Sequence, residues 1–260
     1  MGQAIEAISK TPTGKMLVDF ARKKDVRFCE HPVSEDPGVF TAKLGLLGVN
    51  LDLSDPSNGS YYVMAHELFH PVQMYDFNYK RLSAKDRVVY TLILEGAAEV
   101  TASRVAHEMK ERGDMRAWDW YNKRLPQDYH LLKSFYDSVY QAVLNNNQNK
   151  TMEEAEDIAS RATYRMYFSS PLFNARLVRI VGTLKDVANA QYQRWLSRTD
   201  PLSIEDMRNV AKLPNGFDFV GDHNVLPHEC DIDAGVILIR QAISAAHAFY
   251  HDLDFDDDPT

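Results

Sequence analysis

Cysteine is scarce in this chain: Cys29 and Cys230 are the only two in 260 residues, they lie far apart, and neither belongs to a C-x-x-C pair. A disulfide-dense scaffold is thereby excluded, and in a reducing compartment the two are expected as buried free thiols. Long apolar runs are missing as well. The longest candidate, GVILIRQAISAAHAFY, is broken by Arg240 and Gln241, short of the roughly 18 to 20 apolar residues that span a bilayer. The opening MGQAIEAISK has no apolar core or cleavage site of a secretory signal. It also carries Glu6 where a myristoylation motif needs Ser or Thr. The expected compartment is therefore the cytoplasm, with no membrane partner, although export by a specialised machine would leave no mark of this kind. Positive charge is in deficit too. Lys and Arg number 29 against 37 Asp and Glu, for a net charge of −8, and no basic stripe offers a phosphate backbone a track, so no nucleic-acid partner is expected.

What the chain does have is 45% hydrophobic residues, enough to build a real core. An amphipathic helical pattern occupies 3–24, interrupted at TPTG (11–14) by Pro12 and Gly14. The period then shortens. VRFCEHPV (26–33), GVFTAKL (38–44) and LLGVNLDL (46–53) read as three strands separated by Pro, Gly and Asp. From Ser60 onward almost everything reads helical. The best-marked helix is 84–112: Ser83 is its N-cap with Asp86 three residues on, and Lys110, Arg112 and Gly113 close it. Further helices are expected near 114–123, 128–146, 152–168, 171–198, 203–212 and 234–250. The fold class expected is α+β, a small N-terminal sheet followed by a mainly helical remainder. A natural division places a catalytic-type core at 1–114 and a helical subdomain with an acidic tail at 115–260.

The stretch AHELFHPVQ (65–73) carries His66 and His70 four apart, with Glu67 directly after the first. On a helix, such a pair lies on one face with Cβ atoms roughly 5 to 6 Å apart, so two imidazoles can aim at one metal ion. Glu67 is rotated about 100° from His66 and suits a different task, that of base to a water held on the metal. This is the H-E-x-x-H pattern. Asn58 or Ser60 can cap the helix, and Tyr62, Val63, Leu68 and Phe69 give it an apolar setting. Pro71 removes a backbone donor and should kink or loosen the helix just past the second histidine.

Twenty-five residues beyond His70, EGAAEV places Glu95 and Glu99 four apart inside the well-capped helix. Side by side on a face with Leu92, Ala98 and Ala102, two carboxylates repel and call for a cation. Gly96, Ala97 and Ala98 leave room for another helix to come close.

HELFH followed by EGAAE resembles the gluzincin, thermolysin-like branch of the zinc metallopeptidases, in a compact, divergent bacterial form. The resemblance covers roughly residues 40 to 112. It implies a zincin-like fold, with the sheet packed on the H-E-x-x-H helix and a second ligand helix. It implies Zn2+ held by His66, His70 and Glu95, and Glu99 hydrogen-bonded to a ligating histidine. Glu67 would be the general base, and a strand ahead of the motif, LLGVNLDLS, would pair with an extended peptide or protein substrate. The reverse assignment, with Glu99 as ligand and Glu95 as helper, stays open. For the tetrahedral oxyanion a donor is also needed; Tyr164, Tyr167, His223 and His228 are the candidates, with Tyr167 favoured.

The competing class of function is a zincin-fold protein that cleaves nothing and acts in binding or regulation. A structural metal site fits less well, because such sites close all four positions and have no use for an acid beside the first ligand. Elsewhere the plain readings prevail. His223, His228 and Cys230 read as a loop with incidental histidines, and His107, His247 and His251 as surface or satisfied core residues. Trp118, Trp120 and Tyr121 read as packing, and Asp252 to Asp258 as a solvated tail.

Overall fold

The computed structural model describes residues 2–30, 38–49, 60–75, 77, 81–119, 127–146, 149–170, 173, 176 and 200–221. Thr11 and Pro12 split the first apolar segment in two, as the TPTG break predicts. Helix α1 runs Gly2–Ile8 and α2 runs Pro12–Lys23, with the Thr11 side chain accepting from the Gly14 amide and Pro12 in the first turn, where a missing N–H costs nothing. Three short strands follow, β1 (Arg27–Glu30), β2 (Gly38–Thr41) and β3 (Leu46–Val49). They lie in the order β1-β3-β2, with β3 parallel to β1 (Arg27 opposite Leu46) and antiparallel to β2 (Gly38 opposite Val49). Phe40, Leu47 and Val49 are buried. Cys29, on β1, is a free, half-buried thiol.

This order corrects one expectation. The strand implied for substrate pairing begins at Leu46, yet Leu46–Val49 is the central strand of the described sheet and is bonded on both sides. The free edges among the described residues belong to β1 and β2; residues 50–54 of that stretch lie outside the described residues.

Two long helices form the middle of the molecule. Helix α3 (Ser60–Met74) has thirteen buried residues, so it is a core helix rather than a surface one. It continues past Pro71, and the Tyr75 amide closes its last turn on the Pro71 carbonyl at 3.1 Å. Helix α4 (Ala84–Glu111) is capped at its start by the Ser83 side chain on the Asp86 amide, and Gly113 follows it at φ +82°, both as the sequence predicts. α3 packs along α4, with α2 and β2 also against α3. Helices α5 (Gln127–Asn146) and α6 (Met152–Phe168) pair with each other and pack on α4, and α6 opens with a Thr151/Glu154 capping box. A short helix, α7 (Ile204–Val210), covers one end of α3 and α4.

The main hydrophobic cluster draws residues from Ala4 to Val220, including Phe69, Val100, Trp118, Tyr167 and Phe219. A smaller cluster, Tyr136, Tyr140, Ala155 and Ala159, lies between α5 and α6. Each fully buried Leu or Phe in such a core contributes about 1.5 to 3 kcal/mol. Among the described residues no helix is long and apolar enough to cross a membrane. The helices expected at 171–198 and 234–250, the end of that expected at 114–123, and His223, His228, Cys230, His247 and His251 fall outside the described residues, apart from Phe173 and Arg176.

Candidate metal centre

Because α3 is buried all round, its two histidines and Glu67 sit in the interior: His66, Glu67 and His70 are each about 7% exposed or less. These three offer ligand atoms that all lie within 4.8 Å of one another. The imidazole rings stand edge to face with centroids 4.9 Å apart, and His70 Nε2 is 3.8 Å from Glu67 Oε2.

The neighbouring groups fix which ring nitrogens remain available. Gln73, one turn after His70, donates its amide to the Leu94 carbonyl at 2.9 Å and the Val210 carbonyl at 3.0 Å. Its oxygen is therefore the acceptor that faces His70 Nδ1 at 2.9 Å. His70 must carry its proton on Nδ1 and leave the Nε2 lone pair free. His66 is placed in a comparable way by α4. Its Nδ1 lies 3.5 Å from Glu99 Oε1 and its Nε2 3.4 Å from Glu95 Oε2.

The two acids differ in how they are held. Glu99 accepts from the Tyr62 hydroxyl at 2.7 Å and from Arg176 at 3.3 Å. Glu95 Oε2 lies 3.4 Å from His66 and 3.3 Å from Arg176 but is a buried oxygen with no hydrogen bond. A buried carboxylate oxygen left this way is costly unless something binds it.

Burial and neighbouring charge set the protonation of the metal-free site. Burial pushes His70 down to about 4, which leaves it neutral as a ligand must be. For His66 burial acts downward, but the carboxylates of Glu99, Glu95 and Glu67 outweigh it and raise it to about 9. Burial is the main force lifting Glu67, up to about 7, the range in which a general base works best near neutrality. Burial opposes ionisation of Glu95, yet Arg176 and the two histidines hold it well below the usual carboxylate range. Without a metal, the His66 imidazolium and the Arg176 guanidinium thus face the two carboxylates.

The converging group is His66, Glu67 and His70, and Glu95 joins it through His66, at a spacing that suits a divalent metal. With bonds of about 2.1 Å to nitrogen and oxygen, the edge of a zinc tetrahedron is about 3.4 Å. That is the His66 Nε2 to Glu95 Oε2 separation.

Two further contacts bear on this site. Gly38 of β2 sits directly on Glu67: a Cβ there would meet Glu67 Cγ at 2.6 Å and its Oε1 at 3.0 Å. Gly96, beside Glu95, lies under Tyr167, whose ring a Cβ would meet at 2.7 Å. This is the close helix approach that the small residues of EGAAE allow, and the helix that arrives there is α6. Tyr167 is fully buried, and Tyr164 lies among Phe168 and Phe219.

Gln73, Tyr62, Arg176 and Gly38 were not legible as site residues. Gln73 and Tyr62 stand one turn from His70 and His66, so helical spacing could have found them. Arg176 and Gly38 come from distant segments and carry no local signal.

The class this geometry defines is a protein built around a buried His-Glu-His group poised for a metal. Consistent with that, residues 2–220 match the model of the family described as "Putative metallopeptidase family (DUF6782)", and the chain belongs to that family. No curated protein and no solved structure matches it.

Proposed function

We propose that the protein is a zinc-dependent peptidase of gluzincin type, with a zincin-like core in which His66, His70 and Glu95 hold the metal and Glu99 backs His66. The observation that carries this reading is the division of the histidine nitrogens. One nitrogen of each ring is committed to a protein partner, Glu99 or Gln73, while the other is left on the Glu95 and Glu67 side. The orphan oxygen of Glu95, set against the occupied oxygens of Glu99, favours Glu95 as the ligand.

When bound, zinc supplies Lewis acidity and lowers the pKa of a water to about 7. Glu67, poised near neutrality, takes the proton of the attacking water and delivers it to the leaving amine as the peptide bond breaks. The β2 edge is positioned to align an extended peptide, because Gly38 brings its backbone against Glu67 and its outer side pairs with no described strand. Tyr167, whose ring packs on Gly96, is assigned as donor to the developing oxyanion.

The test is turnover of a mixed peptide library, read by mass spectrometry, with zinc content measured on the same samples. Wild type is expected to cleave, and Glu67→Gln to keep its zinc while losing about 10²- to 10⁴-fold in rate. Full activity in Glu67→Gln would overturn the assigned base. A zinc-loaded wild type that cleaves nothing would favour a binding or regulatory protein.

A further inference from the structure

Two carboxylates one helical turn apart, on a face buried between α3 and α4, need compensating positive charge. Part of it comes from far along the chain. The Arg176 guanidinium lies 3.3 Å from Glu99 Oε1 and 3.3 Å from Glu95 Oε2. The two contacts are equal in length and unequal in kind. On Glu99 the guanidinium donates a directed hydrogen bond; on Glu95 it makes only a charge contact, and Glu95 Oε2 has no hydrogen bond from any group. That same oxygen is the one that faces His66 Nε2.

We propose that Arg176 is a stand-in cation for the metal: it neutralises Glu95 and Glu99 in the metal-free protein, stays anchored on Glu99, and yields Glu95 to the metal. The inference rests on the metallopeptidase reading above. Its physical content is competition for one oxygen. A cation already resting on the ligand must be moved off it, and its positive charge then remains close to an incoming divalent ion, so both effects weaken metal uptake. In exchange, the metal-free site holds its two acids without strong repulsion, and the fold does not depend on the ion. A residue that merely orients Glu95 for the metal would have the opposite effect on affinity when removed. The sign of the change therefore decides between the two roles.

The experiment is zinc affinity by competition with a chromophoric chelator, with the melting temperature of the metal-free protein, for wild type and Arg176→Met. The variant is expected to melt lower without metal and to bind zinc about tenfold more tightly, within the usual range of coupling between neighbouring sites. Arg176→Gln keeps a donor for Glu99 without the charge and carries the same expectation for zinc, so the question stays answerable should Arg176→Met fail to fold. Arg176→Lys retains the charge and should remain near wild type. Unchanged or weaker zinc binding in both neutral variants would overturn the proposal while leaving the metallopeptidase reading in place. A well-folded wild type that takes up no zinc would overturn both, and the wild-type titration alone would reveal it.

Discussion

Helix α4 carries two buried clusters of histidine and carboxylate, and they are built differently. Near its middle, Glu95 and Glu99 face His66 and His70, whose rings each have one nitrogen backed by a fixed partner and the other directed into a shared space. Near its end, His107 is fully buried among Tyr140, Tyr136 and Trp118, with ring centroids 4.2, 5.4 and 5.9 Å away. Three carboxylates approach it: Asp137 at 3.4 Å, Glu111 at 3.9 Å and Glu156 at 3.9 Å. Both its ring nitrogens nevertheless lack hydrogen bonds.

Two of these three acids, Asp137 and Glu156, already have cations from the chain, as do the neighbouring Glu108 and Asp157. Lys110 reaches Asp137 at 2.9 Å, and Arg104 reaches Asp157 at 2.8 Å, Glu108 at 3.3 Å and Glu156 at 3.4 Å. The number of histidines and acids therefore does not distinguish the candidate metal centre. What distinguishes it is the convergence of ligand atoms of His66, Glu67 and His70, with Glu99 and Gln73 facing the outer ring nitrogens, beside a Glu95 oxygen that makes no hydrogen bond.

Breaking the second cluster should unsettle the fold and leave metal chemistry alone. Arg104→Met strands Glu108 and Glu156 in the interior, and should cost about 3 to 5 kcal/mol in urea denaturation with zinc affinity unchanged. Weaker zinc binding in that variant would mean that the two clusters act as one. Within the first cluster, Gly38→Ala separates base from ligands. The new methyl displaces the Glu67 side chain, and kcat should fall about tenfold while zinc content stays at the wild-type level.

Metal uptake should also depend on pH with a definite sign. In the metal-free protein the carboxylates around His66 outweigh burial and raise it to about 9, so it carries a proton at neutrality that zinc must displace. Apparent affinity should rise with pH up to about 9, by about tenfold per unit, and then level off. Calorimetry in buffers of different ionisation enthalpy would count the proton released. The smallest effect is expected at His107. Its nitrogens make no hydrogen bonds to lose, so His107→Phe should change stability by less than about 1 kcal/mol and leave zinc uptake intact.

The ends of the helices were largely legible because they are set locally, whereas the strand expected over 38–44 stops at Thr41 and Ala42–Leu44 forms a 3-10 turn. Ser83, Thr11 and Pro12 mark their helices with their own side chains, and the structure places the boundaries there. The four-residue spacings of His66 with His70 and of Glu95 with Glu99 were legible for the same reason. Strand order was not: whether β3 lies at an edge or in the centre depends on which segments return to it, and nothing in LLGVNLDLS encodes that. His107 was expected as a surface or satisfied core residue, and its helical spacing could not show that three aromatic rings and three acids from α4, α5 and α6 would enclose it. Arg176 stayed hidden because its hydrogen bond to Glu99 joins residues 77 positions apart.

Whether the first cluster binds a metal is read from zinc content. Elemental analysis of the wild-type protein, after dialysis against trace zinc, should give about one tightly held zinc per chain, reduced to near zero in Glu95→Ala. A well-folded wild type without zinc would mean that the cluster is no metal site and that AHELFHPVQ is a buried helix that carries two histidines.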